Sequence, residues 1–406
     1  MPVAETTAAL RFPWLILLGL CLGNCVTTGF ARFAYGLLLP AMKSELGWSY
    51  SQAGWLNTAN AMGYVVGAVL TMVLIGRVGP SRLFGVGLVL TTFALLATGQ
   101  NPALWWQSLW RILAGLFGAL SFSTAGVLAA QLFPGDARRN ALAIALLFGA
   151  GGGLGIVLAG AVLPLMLEAR GAASWPLGWT LTGLVGLSFL PLALWSGYSL
   201  RPPRRSSSAP VQRSPLPLRR MLPELAGYAG FGLGYIVYMT FLSAWMKDQG
   251  ASAPAIAAAW VLLGVCLCLS PFLWRPVFAH FRSGVPLAMI LTCIALGSVL
   301  PLMVPGTAGQ MASGVVFGLS VFMAPGAVTS FSRHNLPIES WGSAIALFTV
   351  VFAVAQTIGP YAAGLLGDLT GDIGTGLIAA AGVLLLGAGL ALMQRPLAPA
   401  AGTAGD

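Results

Sequence analysis

Long apolar runs recur along the chain, separated by short polar junctions. Twelve of them reach membrane-crossing length: 13–39, 51–75, 82–99, 103–131, 139–166, 177–199, 223–246, 254–279, 285–303, 308–331, 341–366 and 374–393. A helix crosses the hydrocarbon core with about 20 residues. The runs are continuously apolar and lack the ten-residue alternation of a membrane barrel strand. The pattern therefore predicts an all-α integral membrane protein of about twelve transmembrane helices.

The junctions between runs differ in charge. One side receives Arg11, Arg77, Arg82, Arg138, Arg139, Arg201, Arg204, Arg205, Arg213, Arg219, Arg220, Arg275, Arg282, Arg333 and Arg395; the other receives Lys43, Arg170 and Lys247. Fifteen basic residues against three place both termini in the cytoplasm and call for an even number of spans. The longest junction, 201–222, is rich in Arg, Pro and Ser and reads as a flexible basic linker that can touch anionic lipid. It divides the chain into a six-helix bundle at 1–200 and another at 223–394, followed by a flexible cytoplasmic tail at 395–406.

Composition supports the membrane reading and removes others. Charged residues make up 7% of the chain, against about 25% in soluble domains. The net charge of +10 follows from the loop arginines, and no nucleic-acid motif accompanies it. No processed signal precedes the first run. Cys21, Cys25, Cys266, Cys268 and Cys293 all fall in apolar helices and read as packing residues. No metal or cofactor is expected. Two bundles joined by a central linker suggest rocking about a midplane site.

Polar side chains inside the runs are the candidate chemistry. In the first run, Asn24, Thr28, Arg32 and Tyr35 recur at spacings of three and four and share one face. A charge in hydrocarbon marks a solute path by default; the rival reading has Arg32 snorkel to the outer surface near Pro40. The second run carries Asn57, Asn60 and Tyr64, which either bond across a helix pair or meet solute. Arg111 opens the fourth run above Gly115 and Gly118, as a functional group or an outer anchor. The fifth run holds Gly149, Gly151, Gly152, Gly153, Gly155 and Gly160, suited to close backbone approach rather than to a phosphate loop. Tyr228, Tyr235 and Tyr238 share a broad face of the seventh run, an amphiphilic wall. The eleventh run contributes Gln356, Gly359 and the kink-permitting Pro360. No acidic residue lies at the centre of a run, so two cavity arginines would present a positive field to an anionic solute.

The stretches Ala31-Arg-Phe-Ala-Tyr-Gly-Leu-Leu-Leu-Pro-Ala-Met42, Asn57-Thr-Ala-Asn-Ala-Met-Gly-Tyr64 and Gly234-Tyr-Ile-Val-Tyr-Met-Thr-Phe-Leu242 resemble the YbfB/YjiJ-like bacterial branch of the major facilitator superfamily. The resemblance covers nearly the whole chain and implies the major facilitator fold. It links Arg111 with Gly115 to proton coupling and the fifth-run glycines to the antiporter motif, whose Gly-Pro pair is missing there. The cytoplasmic signature is reduced to Gly76-Arg-Val-Gly-Pro-Ser-Arg82, where Arg77 and Arg82 remain and Gly76 stands in place of the usual acid.

The expected function is secondary active transport of a small organic solute across the bacterial inner membrane by alternating access, without enzymatic chemistry. Proton-coupled efflux is the first reading. The alternatives are an organic-anion transporter that uses Arg32 and Arg111, and a membrane sensor that moves nothing. The expected partners are a small molecule, the lipid bilayer and, in the coupled reading, protons. No nucleic acid is expected, and a monomer suffices.

Overall fold

The computed structural model describes residues 12–200 and 216–397. It contains twelve helices long and apolar enough to cross a membrane: α1 Pro13–Leu46, α2 Tyr50–Val78, α3 Pro80–Thr98, α4 Leu104–Ala129, α5 Arg138–Arg170, α6 Ala172–Ser199, α7 Leu218–Asp248, α8 Ala253–His280, α9 Val285–Met303, α10 Thr307–Asn335, α11 Ile338–Thr370 and α12 Ile373–Leu392. Most of the linker expected at 201–222, and the tail beyond residue 397, lie outside the described residues. The seventh helix starts earlier than the hydropathy suggests, so Arg219 and Arg220 sit on its first turn.

The helices form two bundles. In the first, α4 packs on α2 and α3, and α6 on α3. In the second, α12 packs on α7 and α9, and α11 on α7. Three seams join the bundles, with α2 against α11, α5 against α8 and α1 against α7. Even connectivity puts the start of α1, the start of α7 and the end of α12 on one face, the terminal face; the α1–α2 and α7–α8 turns lie on the opposite face.

Helix α1 differs from its sequence reading in two ways. It continues through Pro40 and stops at Leu46, where Gly47 takes a left-handed φ of 64° that an L side chain resists. The extra turns move Arg32 away from the helix end and close to its middle. Cys25–Phe33 is also π-helical rather than α-helical. Leu146–Ala150 in α5 is a second π segment. Such wide turns free backbone carbonyls and re-aim side chains, and they concentrate at functional positions. The two meet: Asn24 Nδ2 donates to the Leu147 carbonyl at 2.8 Å, and Thr28 Oγ1 donates to Asn24 Oδ1 at 2.7 Å. The tenth run is not one continuous helix either. It breaks into Thr307–Gly318, a short 3₁₀ turn at Val321–Met323, and Ala324–Asn335.

Glycine sets how close the helices come. A Cβ on Gly155 would lie 2.7 Å from the Cys25 carbonyl oxygen and 2.7 Å from Gly29 Cα. Gly115 meets the α2 backbone at Asn60 and Tyr64 in the same way, and Gly153 meets Gly264 and Cys268 of the other bundle. A Cβ on Gly149 would lie 3.2 Å from Pro271 Cγ of the other bundle, a tight contact but a looser one than at Gly153. Gly76, by contrast, has open space around its missing Cβ. Gly155→Val is therefore expected to lower stability by about 1–3 kcal/mol through overpacking, read as a drop in thermal unfolding midpoint in detergent, while Gly76→Ala leaves the midpoint unchanged or slightly raised.

Candidate functional site

Four helix midpoints converge between the bundles. Arg32 comes from the π segment of α1, Tyr64 from α2, Tyr235 from α7 and Gln356 from α11. Arg32 Nη2 donates to Tyr235 Oη at 2.5 Å and to Gln356 Oε1, both in the other bundle. Tyr235 Oη donates to the same amide oxygen at 3.2 Å. The guanidinium carbon stands 5.0 Å from the centre of the Tyr64 ring, 5.6 Å from Phe33 and 6.0 Å from Tyr235. The snorkelling reading of Arg32 is thus replaced: the side chain points across the seam at mid-helix, not along its helix toward the surface.

No carboxylate balances this cation. Among the described residues the single ion pair joins Arg139 and Asp136, on the surface. Arg32 is half-buried, whereas Gln356 is fully buried and its Nε2 lacks a hydrogen-bond partner. Neutral oxygens and ring faces hold the charge in place, each ring contributing about 0.5–2 kcal/mol.

Arg111 occupies a different environment. It is 1% exposed and sits within the first bundle. Nη1 donates to the Ala31 carbonyl at 2.5 Å and Nη2 to Asn57 Oδ1 at 3.3 Å; Nε has no partner. The guanidinium lies 4.9 Å from the Tyr35 ring centre and 5.6 Å from Trp179. Arg111 is therefore neither an outer anchor nor a partner for solute in this conformation. It braces the backbone immediately before Arg32. Asn57 relays that brace to the second bundle by donating to Thr240 Oγ1 at 2.5 Å.

The remaining candidates fall into place around these two arginines. Tyr35 donates to the Ala53 carbonyl at 2.7 Å, and Asn60 to the Arg111 carbonyl at 3.0 Å; both fasten helices within the first bundle. Asn24 serves the α1–α5 contact and does not reach Arg32. Tyr238 turns away from the seam, pairs with Ser313 at 2.6 Å and stacks on Phe317 at 3.9 Å. Gly359 lets α11 approach Leu233 of α7, while the Pro360 carbonyl faces Gly54 across the seam. Arg77 and Arg82 are exposed near the terminal face.

Aromatic residues extend from Arg32 toward the terminal face on both sides. In the second bundle, Tyr235 stacks on Phe231 at 4.6 Å, Phe231 on Phe352 at 5.4 Å, and Tyr228 meets Phe348 at 5.7 Å. In the first, Tyr64 contacts Phe122 at 6.1 Å, and Phe122 contacts Phe148 at 4.8 Å. The sequence reading missed Thr240, Trp179 and these phenylalanines. The i, i+4 spacing of Phe231 with Tyr235 and of Phe348 with Phe352 was the available signal.

The model of the family described as "Uncharacterised MFS-type transporter YbfB" matches residues 24–392. The chain is 24% identical over 306 residues to the inner membrane transport protein YdhP of Escherichia coli, covering 72% of this chain and 74% of the relative. It is 25% identical over 368 residues to the probable anion transporter 3, chloroplastic, of Arabidopsis thaliana, covering 85% and 68%. A bacterial homologue of the human lysosomal transporter Spinster, in an inward-facing and occupied conformation, superposes with a TM-score of 0.70 at 16% identity over 93% of this chain and 96% of that one. A point mutant of the nucleoside transporter NupG superposes with a TM-score of 0.66 at 12% identity, over 93% and 98%. Both structural likenesses are likenesses of fold.

The two arginines should respond differently to replacement. Arg111→Lys cannot reproduce a planar fork that bonds Ala31 and Asn57 while stacking on Tyr35 and Trp179. It is expected to lose about 2–4 kcal/mol of stability, the cost of breaking a buried charged contact, whereas Arg32→Lys should shift the unfolding midpoint far less; thermal unfolding of both variants in detergent makes the comparison.

Proposed function

The chain belongs to the MFS-type transporter family of YbfB, a family of secondary transporters that work by alternating access, and from that premise we propose that it carries an amphiphilic organic anion whose charged group binds Arg32. One observation carries the proposal: a half-buried guanidinium lies between the bundles at mid-helix, bonded to a hydroxyl and an amide with no carboxylate beside it. A carboxylate or phosphate forms stronger, charge-assisted hydrogen bonds to guanidinium than either neutral oxygen does. The solute's anionic group displaces Tyr235 and Gln356 from Arg32, and its apolar body lies along Phe122, Phe148, Phe231 and Phe352. Exchanging a link between bundles for a link to solute makes the rearrangement depend on occupancy, because the ligand contributes differential affinity for the two arrangements.

The terminal face is the cytoplasmic face in this proposal, on the strength of the arginine distribution among the loops. The rows of aromatic residues then lead from the midplane toward the cytoplasm. Proton-coupled efflux of an uncharged amphiphile accounts for the aromatic rows but leaves the charge of Arg32 without a counterpart. The relative named as a probable anion transporter supports the same solute class.

A thermal-shift screen of organic acids against their neutral amides tests the solute class. Acids should stabilise the intact protein, and Arg32→Ala should abolish that stabilisation while keeping its own folded midpoint. Equal stabilisation by acid and amide, or an unchanged response in Arg32→Ala, would remove Arg32 from the binding site.

A further inference from the structure

The opposite face is closed by an unusual contact between the bundles. Helix α2 begins at Tyr50, and its first-turn N–H groups have no partners within the helix. Ser49 and Gln52 cap part of that turn reciprocally: Ser49 Oγ accepts from Gln52 N, and Gln52 Oε1 accepts from Ser49 N. The other two amides are satisfied from the second bundle. Asp368, in the last turn of α11, accepts from Tyr50 N at 2.7 Å through Oδ1 and from Ser51 N at 2.9 Å through Oδ2. A carboxylate from one bundle thus completes the N-terminus of a helix in the other, where the helix dipole favours negative charge.

Two further contacts bear on the same turn. Tyr50 Oη donates to Asp248 Oδ2 at the end of α7, at 2.5 Å, and Lys43 Nζ lies 4.0 Å from the Tyr50 ring centre. Deeper in the α2–α11 seam, Gly364 admits the Tyr50 backbone, Gly54 admits the Pro360 carbonyl, and Thr58 Oγ1 donates to the Thr357 carbonyl at 2.7 Å. A cleft of about 700 Å³ runs alongside, lined by Trp55, Thr58, Thr357 and Tyr361 among others. Helices α2 and α11 pack closely along this seam, and the contact across it that carries formal charge is Asp368.

We infer that Asp368 is a gating residue, whose bidentate cap on α2 holds the opposite face shut and is broken each time that face opens. The cap needs both bundles: when they separate there, Tyr50 N and Ser51 N pass to water and Asp368 loses a charge-assisted pair. Asp368 lies a helix half-length from Arg32, so this role is independent of what the solute is. Replacing it shifts the balance between closed and open forms without altering the central contacts.

Spin labels at Ala173→Cys and Gln249→Cys, with the native cysteines replaced, report the separation of the bundles at this face by double electron–electron resonance. Both positions are exposed, one in each bundle. Asp368→Ala is expected to raise the ratio of long to short distances roughly two- to thirtyfold, the range for loss of a helix cap. Tyr50→Phe, which removes only the Asp248 contact, should produce a smaller rise, and Asp368→Glu should restore much of the short-distance population. Unchanged distances in a folded Asp368→Ala would overturn the assignment. If that variant does not fold, distances in Asp368→Asn decide: a longer-distance population supports the gate, and a wild-type distribution refutes it.

Discussion

A positive charge placed midway through a membrane helix must be satisfied from within the protein. Arg32 meets this requirement by reaching into the other bundle, to Tyr235 and Gln356. Much else follows from that contact. The π segment of α1 aims the side chain across the seam, Arg111 and Asn57 fix the backbone beneath it, and the glycines of α5 let α1 sit deep enough to make the reach. A central cation tied to neutral partners is also a contact that a better partner can displace, whereas an ion pair would resist exchange.

The two arginines look alike in the sequence, and the structure separates them by burial and partner. Arg111 is enclosed by Tyr35, Trp179 and the Ala31 carbonyl within one bundle. Arg32 stands at the boundary between bundles and remains half-exposed. The first therefore braces the candidate site, and the second is the one that the proposal turns toward solute. Asn57 ties Arg111 to the opposite bundle, accepting from Arg111 and donating to Thr240. Movement at the seam therefore reaches Arg111 through this amide and Arg32 through Tyr235 and Gln356.

Much of this was legible in the sequence because bilayer physics is strict. Twelve apolar runs had few other interpretations, and Arg32, Tyr64, Tyr235 and Gln356 were identifiable as expensive polar groups in hydrocarbon. Periodicity could say that Asn24, Tyr35, Asn60 and Tyr238 point away from lipid. It could not say whether they point into their own bundle or across the seam, since both directions hide a polar group equally well. Tyr238 went to Ser313 and Asn60 to the Arg111 carbonyl for that reason. The π segments left no mark in hydropathy, and α1 runs on through Pro40 until the left-handed Gly47 ends it. Asp368 falls just past the eleventh apolar run at 341–366, and nothing in the sequence marks its partners, which are backbone amides remote along the chain.

In the proposed function, Arg32 faces the charge of the solute. Flux into proteoliposomes containing only this chain, measured for an organic acid that binds and for its neutral amide, tests it most directly when Arg32→Gln is compared with the unaltered protein. The substitution should abolish flux of the acid and leave the smaller flux of the amide in place. Equal losses for acid and amide would contradict that role, and would assign Arg32 to the framework together with Arg111.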